Sequence, residues 1–209
     1  MKRTHLFGLL AVLFGVAGCA SFQAAGEAQR GRPQLIFGDP KVALAHFQRA
    51  SELDSGYVKR FRAFDEGVWT YVGRANYAAG RLPEARQALD RAISMNRNDN
   101  LARLYLGLVL TKGEDRTAGL REIEGGMKGI YNDLEYITAN THYGQFWDPR
   151  REIRSEIETN LRLISGKDAD LKRIVENGEW VGRSLEEEAD RAQRDEREDQ
   201  TRDGDNGRR

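Results

Sequence analysis

The sequence predicts an all-α fold: a short helical-repeat array capped by additional C-terminal helices. Three observations predict it. No segment sustains the apolar–polar alternation of a half-buried strand. The four prolines avoid helix interiors: Pro40 follows Asp39, Pro149 follows Asp148, Pro83 opens an apolar-periodic stretch, and Pro33 lies in a polar segment. Asp followed by Pro is a helix start, because the N–H that Pro lacks has no partner in the first turn. Finally, Leu101, Leu104, Tyr105, Leu108 and Val109 recur at i, i+3, i+4, i+7 and i+8, one apolar face of a helix.

Residues 1–18 have the layout of a secretory signal. Lys2 and Arg3 precede an apolar run from Leu6 to Val16, then the small residues Ala17 and Gly18. The run is shorter than the roughly 20 residues of a spanning helix. Val16-Ala17-Gly18-Cys19 resembles the bacterial lipobox, an aliphatic residue and two small ones before the cysteine that is lipidated. The resemblance implies diacylglycerol (with palmitate-type chains) on the Cys19 thiol, cleavage before Cys19, and a lipoprotein of the cell envelope. Ala20 in place of aspartate then points to the outer membrane, facing the periplasm. The other reading is an ordinary signal peptide or short anchor with a chance cysteine.

The length of 209 residues allows one domain with tails, and 32% charged residues suit a water-facing helical protein. Without Lys2 and Arg3 the chain carries 31 basic against 33 acidic residues, no excess to attract nucleic acid. Cys19 is the only cysteine, so no internal disulfide can form.

Residues 19–38 are expected to be a flexible tether, because SFQAAGEAQRGRPQ is small, polar and aperiodic. The helical domain follows over 39–190. Its helices are expected at about 40–53, 65–79, 83–95, 100–110 and 117–131, with Gly125 and Gly126 weakening the last unless close packing needs them.

Trp69, Val72 and Gly73, the turn at Gly80, then Ala85, Leu89 and Ala92 form one unit. Arg103, Leu106 and Gly107, then Gly119, Ile123 and Gly126, follow 34 positions later. This resembles the tetratricopeptide (TPR) repeat, with copies at 66–99 and 100–133. Arg103 in place of a large apolar residue and Arg97 in place of the closing proline depart from the pattern. Two repeats are too few to stand alone. Caps are expected at 148–164 (Ile153, Ile157, Leu161, Ile164), at 170–176 before an Asn177-Gly178 stop, and from Glu179 to Ala189. Residues 191–209, charged and almost without apolar side chains, are expected to be disordered.

The repeat resemblance implies a concave groove that takes an extended peptide or a helix. Carried over by position, its partner-binding face holds Thr70, Arg74 and Tyr77 from the first copy, and Leu104, Leu108 and Lys112, with Leu101, from the second. An exposed leucine stripe is a liability, so the C-terminal helices are expected to cover it; a hydrophobic partner is the other candidate. Residues 138–147 are expected to form a packed connector rather than a recognition loop. Catalytic and metal signals are lacking: His46 and His142 are far apart, Cys19 would be blocked by lipid, and Glu186-Glu187-Glu188 is expected to be a solvated face. No cofactor besides the covalent lipid is expected. The partners are then the membrane and an envelope protein. The first functional reading is a membrane-anchored protein–protein interaction scaffold. The second is a structural or oligomeric lipoprotein without a groove. A cell-wall-active enzyme would need a carboxylate pair that the sequence does not locate.

Overall fold

A computed structural model describes residues 4–113, 115–166 and 170–206, with side chains described from residue 20 to residue 202 outside the two gaps. The side chains of the signal region and of Cys19, and residues 207–209, lie outside the described residues. The described chain runs α1 (Thr4–Phe37), α2 (Pro40–Leu53), β1 (Val58–Arg60), β2 (Asp65–Gly67), α3 (Val68–Ala78), α4 (Leu82–Met95), α5 (Asn100–Lys112), α6 (Arg116–Asn140), a 3-10 turn (His142–Phe146), α7 (Glu152–Ser165) and α8 (Leu171–Asn206). The fold is all-α, with one hairpin pairing Val58 with Gly67 and Arg60 with Asp65.

Caps account for several boundaries. The Asp39 side chain accepts from Lys41 N with Pro40 in the first turn, and Asp99 and Asp115 cap α5 and α6 through Ala102 N and Ala118 N. Gly80 has φ 74° and ends the α3 region. Asp148 also caps, but differently from expectation. Pro149 sits in a turn, and the Asp148 carboxylate accepts from Ile153 N and Arg154 N of α7, which starts at Glu152.

Glycines set the helix spacing. A Cβ on Gly107 would lie 2.5 Å from Ile123 N, and one on Gly126 would lie 2.5 Å from Leu104 N, so α5 and α6 touch backbone to backbone. Gly73 meets the Leu89 side chain in the same way between α3 and α4. The core is continuous from Leu89 and Leu101 through Ile123, Ile130 and Trp147 to Ile174 and Leu185.

Four expectations are corrected. Residues 20–37 are not a flexible tether. They are the second half of α1 and pack antiparallel on α2, with Ser21 bonded to Asp54, Glu27 to His46, and Gly31 against the Phe47 ring. Small residues at 24, 28 and 31 form the packing stripe, so hydrophobicity alone hid it. Pro33 is inside this helix. It and Gln29, whose carbonyl it leaves without a helical donor, are both solvent-exposed, so water can serve that carbonyl. Residues 191–206 are helical rather than disordered, with Ala192 and Glu196 buried. Asn177-Gly178 is not a stop: α8 runs through it, and Gly178 allows close contact, since a Cβ there would lie 2.9 Å from Leu108 Cδ2. The hairpin at 58–67 was not foreseen. The Thr138–Trp147 segment closes over a fully buried Trp147.

Candidate functional site

The candidate groove is the face of α3 and α5, and α8 lies in it. Leu104 and Leu108 have no exposed surface and Leu101 has 2%, and Gly178 and Gly182 of α8 sit against Leu108 and Tyr105. Covering by the chain's own last helix is the expected one of the two arrangements that the leucine stripe allowed.

The polar residues of this face make their bonds within the chain. Arg74 Nη1 lies 2.5 Å from Glu66 Oε1 on β2 and 2.7 Å from Glu186 Oε2 on α8, with its guanidinium 5.0 Å from the Tyr105 ring centre. The Glu186 contact is an ion pair of poor hydrogen-bond angle, which leaves that oxygen without a directional donor. Glu186 Oε1 accepts from Arg32 Nε of α1 at 2.8 Å, and Arg32 Nη1 donates to Asp190 at 2.9 Å. Arg32, Glu66, Arg74 and Glu186 are at most 4% exposed, so two guanidinium groups and two carboxyl groups share one buried site, in which Arg32 Nη2, Arg74 Nε and Glu66 Oε2 make no hydrogen bond within the chain. Burial pushes the Glu66 carboxyl up to about 8, against the pull of Arg74. Glu186 was expected on a solvated face; Glu187 is on that face, but Glu186 is fully buried.

A second cluster closes the other end of the groove. Tyr77 donates to Glu179 Oε1 at 2.5 Å and Lys112 Nζ to the same oxygen at 2.9 Å, with the ammonium 4.4 Å from the Tyr77 ring centre. Burial raises the Glu179 carboxyl, but the bonds from Tyr77 and Lys112 outweigh it and hold the group below its usual range. Tyr77 is itself pushed up, first by burial and then by Glu179. Thr70 does not face α8; it donates to Asp99 at 2.6 Å and so locks α3 to the α5 cap. A cavity of about 270 Å³ remains at the groove's edge, lined by Tyr77, Tyr105, Lys112, Glu179 and Arg183.

The sequence named Arg74, Tyr77 and Lys112 as partner-binding residues; in the structure Arg74 and Tyr77 of α3 and Lys112 of α5 are paired within the chain, with Glu186 and Glu179 of α8. It missed Arg32, Glu66, Glu179 and Glu186. Their signal is weak, since a buried ion group reads in sequence like any surface charge. Among the described residues no three His, Cys, Asp or Glu side chains converge as a metal site would require. No family model, curated protein or solved structure matches the chain.

Proposed function

We propose that the chain is a lipid-anchored protein of the bacterial envelope, held through Cys19, whose TPR-like body acts as a scaffold through its outer surfaces. The concave face would be reserved for the chain's own last helix. The observation that carries the closed-groove part is the pairing of Arg74 with Glu186 and of Tyr77 and Lys112 with Glu179. A rival helix would have to replace all of these contacts and cover Leu104 and Leu108 as well. The lipobox-like Val16-Ala17-Gly18-Cys19 and the basic and apolar segments before it support the anchor.

The second reading, a structural or oligomeric lipoprotein, draws on the same closed groove. Cross-linking in intact cells, followed by mass spectrometry of cross-linked and N-terminal peptides, separates the two. Cross-links from exposed helix faces to one envelope protein support the scaffold, and self-cross-links alone support the structural reading. An N-terminal peptide beginning at unmodified Ala20 or earlier rejects the anchor.

A further inference from the structure

The described packing of α1 begins at Ala24, which is fully buried, and continues through Ala28 and Arg32. Cys19 precedes Ala24 by five residues of the same helix, about 8 Å along its axis at 1.5 Å per residue. No coil separates the attachment residue from the folded body. Phe22 is 81% exposed, the most exposed large apolar side chain described. It lies three residues after Cys19, less than one helical turn along the axis, whereas Ala24, two residues on from Phe22, points to the opposite side of the helix. The same end of the molecule carries the α2–β1 turn, since Ser21 Oγ donates to Asp54 Oδ2 at 2.6 Å. Val58, just beyond that turn, is 40% exposed, and Tyr57 is half-buried.

We propose that this end of the domain seats directly on the lipid surface, with the Phe22 ring entering the boundary between headgroups and acyl chains beside the Cys19 lipid. The inference rests on the anchor reading of Cys19 and adds an orientation to it. The contact is apolar, not electrostatic. Glu52 and Asp54 close α2 at this end, so the seat does not call for anionic lipid and should not respond to salt. The occupant is a zwitterionic lipid surface. An α1 standing on that surface points Phe37, its other exposed phenylalanine, into water.

The experiment uses the full lipid-modified chain in phosphatidylcholine vesicles. Cys19 is the only cysteine and its thiol is taken by the lipid, so Val58→Cys and Phe37→Cys each offer one thiol for a nitroxide label while Phe22 stays in place. Both sites are exposed, Val58 at the proposed seat and Phe37 at the far end of α1, so they form a matched pair. Expected is an oxygen-to-nickel-chelate accessibility ratio at position 58 at least about fivefold that at position 37, lowered by Phe22→Ser and unchanged by roughly 0.5 M salt. Equal ratios, with the lipid mass present on the N-terminal peptide, would overturn the seat and leave the anchor standing. Protein that stays in the supernatant with an unlipidated N-terminal peptide would reject the anchor itself, and the seat with it.

Discussion

Replacing Arg74 by alanine should cost the domain a large part of its stability. The guanidinium lies between Glu66 and Glu186, at 2.5 and 2.7 Å, and all three side chains are at most 3% exposed. Removing one partner of a buried ion pair leaves the others desolvated without compensation, a loss of about 3–5 kcal/mol. Glu66 can escape by keeping its proton, since its carboxyl is already pushed up to about 8. Glu186 still keeps its bond from Arg32, so the lower part of that range applies near neutral pH. In a domain of this size about 3 kcal/mol corresponds to roughly 6–12 °C in Tm. Urea unfolding followed by circular dichroism, with the midpoint and slope fitted separately, measures the change. The quadruple variant Arg32→Met/Glu66→Leu/Arg74→Met/Glu186→Leu should recover most of the loss, because an apolar set of similar volume needs no pairing, whereas Glu186→Leu alone would strand the Arg32 guanidinium. A loss below about 1 kcal/mol for Arg74→Ala would refute the reasoning, because it would mean that water reaches the cluster. The same result bears on function: a loss of partner binding in Arg74→Ala cannot be assigned to a lost contact until folding has been measured.

Glu66 sets a pH dependence. Its folded carboxyl titrates above the unfolded one, so its contribution to stability is complete below the ordinary carboxylate range and is lost as pH rises through about 8; Glu66→Gln should flatten the stability profile between about pH 5 and 8, measured by urea midpoints. Gly107→Ala would drive a methyl group to 2.5 Å from Ile123 N and 2.7 Å from Gly119 O, backbone atoms that cannot turn aside, and should cost about 1–3 kcal/mol or more by the same measurement. Ending the chain at Asp190 removes Glu196, which accepts the Trp147 indole N–H at 3.1 Å and pairs with Arg62 at 2.9 Å; the orphaned indole alone should cost about 1–3 kcal/mol, visible as a lower Tm and a shift in tryptophan emission. Cys19→Ser should abolish the lipid mass on the N-terminal peptide, read by mass spectrometry, while an unmodified Cys19 in the parent chain would reject the lipid anchor.

What could be read from sequence followed the kind of interaction that holds each element. Helix α5 shows a full apolar stripe and α2 an Asp-Pro start, and both are local signals that need no knowledge of the rest of the chain. Helix α1 beyond Cys19 packs through Ala24 and Ala28, which cluster with Ala50 and Val68, and through Gly31, which lets the Phe47 ring come close, and composition read them as linker. The end of α8 is held by Ala192, by Arg191 and Gln200 donating to Phe146 O and Tyr143 Oη, and by Glu196, whose partners Arg62 and Trp147 lie 134 and 49 residues away, so charge density pointed to disorder. Arg74, Tyr77 and Lys112 were read from sequence as partner-binding residues, and their partners turn out to lie within the chain. Those partners on α8 were not legible, because an acidic run gives no sign of which one of its members is buried.

The Arg32–Glu186 bond joins residues 154 positions apart, the first packed helix to the last. A chain emerging N-terminus first therefore displays Arg32 and Arg74 without their shared carboxylate until α8 has arrived. Arg74 already has Glu66 of the nearby hairpin, but Arg32 has both its partners, Glu186 and Asp190, on α8, and enclosing it before then would leave it uncompensated, at a cost of several kcal/mol. The order of synthesis thus acts as a timer: the body consolidates only when its last helix is delivered.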